Sequence, residues 1–109
     1  GEESLAIVCA AREDRFSLDD AHCAGALIRM LLDAREGEAV LNDAARVARE
    51  LARIFTPDAA FLRSTAAGVA LAEIGLDGDL ELCAAVDRHA VVPEMRERRV
   101  SVAEGKKRK

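Results

Sequence analysis

The chain opens with an uninterrupted apolar run, Leu5 to Cys9 ("LAIVC"), with β-branched Ile7 and Val8 at its centre. An unbroken run of this length predicts a strand buried on both faces. A single strand cannot satisfy its own backbone N–H and C=O groups, so its neighbours are expected from the rest of a larger polypeptide or from a second copy. After the loop of residues 10–16 the period becomes helical. Ser17 suits an N-cap, with Asp20 three residues on in a variant of the capping box, and the helix is expected to reach Asp33. Its seam is Leu18, Ala21, Gly25, Ile28 and Leu32. Leu27, Met30 and Leu31 widen that seam until little polar face remains, the pattern of an interior helix.

"EGE" at residues 36–38 interrupts the pattern, and Asn42 can cap a second helix through Phe55. Ala44, Val47, Ala48, Leu51, Ile54 and Phe55 form its apolar stripe, while Asp43, Arg46, Arg49, Glu50 and Arg53 make a solvated face. In "TPDAAFLRS", Thr56 is expected as N-cap with Pro57 at the first helical position, where its missing N–H costs nothing. A further helix is expected over residues 65–74, stopped by Gly75, and a short one over residues 79–86. "VVPEM" and "RRVSV" carry weak extended signals. The expected class is α/β: mostly helical, with one buried N-terminal strand and short C-terminal extended segments.

Composition narrows this picture. At 109 residues the chain is the size of one domain with one modest core. The aromatics are Phe16, Phe55 and Phe61, so the core must be packed from aliphatic residues and alanine. Domain bounds of 1–104 are expected, followed by a basic, disordered tail over 105–109. All three lysines lie in the terminal "KKRK"; taking its four charges from the net −4 leaves a body at −8. Such a body is a poor nucleic-acid binder. No apolar run approaches the roughly 18 residues of a membrane span and no signal-peptide pattern opens the chain, so a cytoplasmic protein without a membrane partner is expected. Cys9, Cys23 and Cys83 lack CxxC spacing, and buried reduced thiols are expected.

The candidate chemistry lies between Cys9 and Cys23. Cys9 and Arg15 match the C-x5-R spacing of cysteine phosphatases, but Glu13 and Asp14 would repel a phosphate dianion and no glycine lets the backbone close around it. Zinc held by Cys9, His22, Cys23, Cys83 and His89 lacks closely paired ligands, and the adjacent His22 and Cys23 diverge by about 100° on a helix. A third reading is a magnesium and phosphate site at the end of the strand, using the hard oxygens of Glu13, Asp14, Asp19 and Asp20. Acids in a first helical turn also simply favour the macrodipole, and both readings stand at this point.

"IVCA", "FSLDDAHCAGAL", "LNDAARVA" and "GVALAEIGLDGDLELCAAVDRHAVVP" resemble, in order and spacing, the C-terminal half of the 2-phosphosulfolactate phosphatase (ComB) family. The family reads FSLED, two variable residues, then CAG, where this chain has residues 16–20 and Cys23-Ala24-Gly25. It commonly has glycine where this chain has Ala11 and Asp14, an acid one methylene longer at Asp19, and often a histidine at Ala67. The resemblance implies the C-terminal part of an α/β, Mg²⁺-dependent phosphatase of coenzyme M and sulfolactate metabolism, hydrolysing a small-molecule phosphate monoester. It also implies an N-terminal half of the same protein as partner.

On the resemblance, Glu13 and Asp19 are expected at the metal, and Asp20, Cys9 and Cys23 among the catalytic groups. Arg12 and Arg15 are expected on the substrate's phosphate or sulfonate. The plainer alternatives are thiols that merely pack and arginines that pair with neighbouring acids. Asp87 and His89 are further candidates for the same region. The rival functions are a non-catalytic helical module derived from the family and a self-associating interaction domain, with a homodimer as the partner state.

Overall fold

The computed structural model describes residues 3–103. These form a mixed α/β arrangement, about half helical, in the order α1 (Leu18–Ala34), α2 (Asp43–Ile54), α3 (Ala59–Ser64), α4 (Ala66–Glu73), α5 (Asp79–Ala84), β1 (Pro93–Arg96) and β2 (Arg99–Val102). The tail over 105–109 lies outside the described residues. No helix among them is long and apolar enough to cross a membrane.

The starts of α2, α3 and α4 follow local capping chemistry. Asn42 accepts the Ala45 amide at 2.8 Å and starts α2, while Phe55 closes it in extended conformation. Thr65 accepts the Gly68 amide at 3.1 Å to start α4 and donates its own hydroxyl to the Leu62 carbonyl at 2.7 Å. Gly75, at φ 78°, ends α4 in a Schellman arrangement: its amide reaches Ala72 O and the Leu76 amide reaches Leu71 O. The start of α3 departs from expectation. Asp58, not Thr56, is its cap, accepting the Phe61 amide at 2.8 Å. A carboxylate there offers a charged acceptor at the positive end of the helix, and Pro57 falls outside it. The last helix stops at Ala84, two residues short of the expected Val86.

Helices α1 and α2 build the larger core. Ala24, Ile28 and Ala48 are buried, with Leu32, Leu41 and Ala45 packed around them. A smaller core gathers Phe61, Thr65, Leu80 and His22 where α3 meets α4, α5 and the start of α1. The extended signals after residue 90 become an antiparallel hairpin, pairing Pro93 with Val102 and Arg96 with Arg99. Glu97 and Arg98 turn it with φ of 49° and 66°, the two positive angles of a type I′ connection, and an Arg96–Glu94 ion pair lies beside the turn.

Two expectations about the opening of the chain are corrected. Residues 5–9 form no strand and are exposed, Val8 at 88% and Leu5 at 72%. A strand exists only through the partner that takes up its backbone groups, and the described residues supply none. The wide apolar face of α1 is likewise only half covered: Ala21, Gly25 and Ile28 are buried, but Leu27, Met30 and Leu31 are open, so α1 is not interior among these residues. The expectation of buried thiols fails for the same reason, since Cys9, Cys23 and Cys83 are all free and exposed.

Candidate functional site

The loop between residues 9 and 17 is a tight reversal. Arg12 and Arg15 exchange both backbone hydrogen bonds, at 3.1 and 2.9 Å, around Glu13 and Asp14, whose φ angles are 53° and 59°. This is a second two-residue turn of the I′ kind, and residues directly paired across such a turn carry their side chains on one face of the ribbon. Arg12 and Arg15 therefore leave the backbone on the same face of the turn. Arg12 approaches Glu13 at 3.8 Å in an exposed pair of little energetic weight. Arg15 has no carboxylate partner among the described residues.

Ala11, just before the turn, is also left-handed, at φ 66°. The positions where the resembling family commonly carries glycine, Ala11 and Asp14, are thus both positions that need positive φ. The backbone keeps the glycine conformation without the glycines, at a cost of about 1–2 kcal/mol for an alanine and less for an aspartate. Asp20 holds the loop from the other side: its Oδ2 accepts the Ala11 amide at 3.0 Å. The expected capping box is consequently not made. Ser17 instead donates its hydroxyl to Asp19 Oδ1 at 2.6 Å and caps no amide.

One shallow groove runs between residues 7–10 and α1, lined by Ile7, Val8, Cys9, Asp20, Cys23 and Leu27 among others. It brings together Cys9, Cys23 and Asp20, the three expected catalytic residues. Arg12, Arg15, Glu13 and Asp19 lie outside its lining, on the turn and at the helix start, and Asp87 and His89 do not line it either. Asp19 and Asp20 each commit one oxygen to a protein donor and keep a second. Among the described residues no three His, Cys, Asp or Glu side chains gather in one place. Magnesium commonly takes only one or two carboxylates and completes its shell with water and substrate phosphate, so these oxygens fit part of such a shell.

The sequence reading missed His22, which it weighed only as a zinc ligand. The ring is buried, its Nε2 lies 2.7 Å from the Phe55 carbonyl, and its centroid is 4.7 Å from that of Phe61. The signal was available in the spacing: position 22 follows Leu18 by four and precedes Gly25 by three, which puts it on the buried face of α1.

The comparisons with known proteins converge on one family. A sequence profile described as 2-phosphosulpholactate phosphatase matches residues 1–98. A Thermus thermophilus protein named probable 2-phosphosulfolactate phosphatase is 40% identical over 96 residues, covering 88% of this chain and 40% of its own length. Proteins of the same name from Deinococcus radiodurans and Symbiobacterium thermophilum are 33% and 34% identical, over 85% and 94% of this chain and 38% and 44% of their own lengths. The chain therefore spans about two fifths of the length of these curated relatives. With a profile matched across almost its entire length, the chain belongs to the 2-phosphosulfolactate phosphatase family.

Proposed function

We propose that the chain is the C-terminal part of a phosphoric monoester hydrolase that converts 2-phosphosulfolactate to sulfolactate and phosphate with Mg²⁺. The observation that carries this reading is the loop between Cys9 and Gly25 of a family member, which sets two arginines side by side ahead of a carboxylate-bearing helix start. Arg12 and Arg15 would hold the anionic groups of the substrate, for which paired guanidinium donors suit phosphate and sulfonate oxygens. Asp20 keeps that turn in place through Ala11 and has its second oxygen available to a water proton. Glu13 and Asp19 would hold the magnesium ion, which supplies charge neutralisation on the phosphoryl oxygens when bound. In the hydrolysis a water oxygen bonds to phosphorus as the bond to the ester oxygen breaks, and that oxygen ends protonated as the hydroxyl of sulfolactate. Cys9 and Cys23 flank the carboxylate in the groove.

The unpaired residues 5–9 and the open face of α1 supply the reason for a partner. Leu5, Val8, Leu27, Met30 and Leu31 present apolar surface beside backbone groups that another strand can pair. We assign that role to the part of the family's length that this chain does not match. The test is phosphate release from 2-phosphosulfolactate with Mg²⁺, assayed for the 109-residue chain and for a protein that joins it to the remaining family length. Turnover by the joined protein supports the reading, and its absence overturns it. The same open surface favours a second reading, self-association. Sedimentation of the chain as a discrete dimer supports that reading, and a folded monomer excludes it.

A further inference from the structure

His22 is buried at 5% exposure, and Phe55, whose carbonyl it meets at 2.7 Å, is the residue that closes α2. A carbonyl only accepts, so Nε2 carries the proton and donates. The ring is tilted against Phe61 at 4.7 Å, and Phe61 is in turn stacked on Phe55 at 5.0 Å. The imidazole is thus fixed at its edge by the end of α2 and at its face by α3. Two positions earlier on the same turn, Asp20 accepts the Ala11 amide. Residues two apart on a helix point about 200° from each other. The first turn of α1 is therefore gripped on opposite sides, by the arginine-bearing loop through Asp20 and by α2 and α3 through His22.

We propose that His22 is a positioning residue: its bond to Phe55 sets the rotation of the first turn of α1, and with it the direction in which Asp20 presents Ala11 and the Arg12–Arg15 turn to an anionic substrate. The proposal rests on the phosphatase reading for its consequence in turnover, but its structural half is independent of that reading.

Two substitutions separate the bond from the packing. His22→Leu fills the space without a donor, and His22→Gln restores an amide N–H near the position of Nε2. In the joined enzyme, His22→Leu is expected to raise KM about tenfold and to lower kcat as well, because Asp20 turns with the helix start, and His22→Gln to return both to within about threefold of the parent. In the 109-residue chain, the Ala11 amide resonance is expected to shift in His22→Leu and to stay near its parent position in His22→Gln, with helix content unchanged by circular dichroism. Should His22→Leu not fold, His22→Asn, whose amide is too short to reach Phe55, takes its place. An Ala11 resonance unmoved by loss of the donor overturns the proposal, as does an equal effect of both substitutions. A parent enzyme without turnover counts against the phosphatase reading alone, because the amide resonance still decides the role of His22.

Discussion

Gly25 of α1 lies against the Ala48 carbonyl of α2 so closely that a Cβ at position 25 would stand 1.8 Å from that oxygen and 3.1 Å from Ala52 Cβ. The obstacle is backbone, which cannot swing aside as a side chain could. The two helices therefore cross at a separation that only glycine permits, and the Ala24–Ile28–Ala48 core depends on it.

Gly25→Ala is accordingly expected to destabilise the chain by about 3 kcal/mol or more, because the helices must separate and the small core opens. Gly75→Ala supplies the contrast. Gly75 has no heavy atom within 4 Å of a would-be Cβ and a φ of 78°, so alanine meets only backbone strain, about 1–2 kcal/mol, part of which its smaller unfolded-state freedom offsets. Urea unfolding of the two variants is expected to rank them in that order, and a Gly25→Ala chain as stable as Gly75→Ala would refute the close crossing.

The helices were legible in the sequence where they depend on a local signal: the Asn42 cap, the stop at Gly75, and the apolar spacing of α1 and α2 all lie within a few residues of what they control. The cap of α3 was misplaced by two residues because Thr56 and Asp58 are both competent, and the choice turned on charge at the helix end. Residues 5–9 read as a strand from their composition, yet strandedness is a property of a pair, and the partner is not among the described residues. The site divides in the same way. The residue types from Cys9 to Gly25 carried the family likeness, while the Arg12–Arg15 pairing, the Ala11–Asp20 bond and the burial of His22 arise from turn geometry and packing that spacing alone does not encode.

Ala11→Gly is expected to stabilise the chain. Alanine at φ 66° costs about 1–2 kcal/mol, and the added freedom of glycine in the unfolded state offsets roughly 0.5–1 kcal/mol of that, which leaves a net gain of up to about 1.5 kcal/mol. Asp14→Gly, at φ 59°, is expected to gain less, since aspartate tolerates the left-handed region better. A shift of the urea midpoint checks both, and a loss of stability in Ala11→Gly would contradict the left-handed loop.

Asp19 and Asp20 are expected to separate by function in the joined enzyme. If Asp19 holds magnesium as proposed, Asp19→Asn is expected to raise the Mg²⁺ concentration for half-maximal turnover by about tenfold or more. Asp20→Asn removes a carboxylate from the groove and is expected to lower kcat by about a hundredfold at saturating Mg²⁺. Unchanged Mg²⁺ dependence in both variants would remove both residues from the metal region.

Glu50 provides a pH-dependent check on α2 that is separate from the site. The Arg53 guanidinium bonds its carboxylate at 2.6 Å, and this hydrogen bond, followed by the charges of Arg53, Arg49 and Arg29, holds the carboxyl below its ordinary value. A carboxyl whose folded value lies below its unfolded value stabilises the fold above the unfolded value, and that contribution is lost as the pH falls through the folded one. The parent chain is therefore expected to melt slightly above Glu50→Gln at neutral pH, with the gap closing under acidic conditions once the carboxylate is protonated. Because the pair is exposed, molar salt is expected to shrink the neutral-pH gap as well, the screening length falling to about 3 Å at 1 M. Melting curves of the two chains across pH and salt test this; a gap that persists in acid would mean that the glutamate acts through helix propensity or packing instead of its charge.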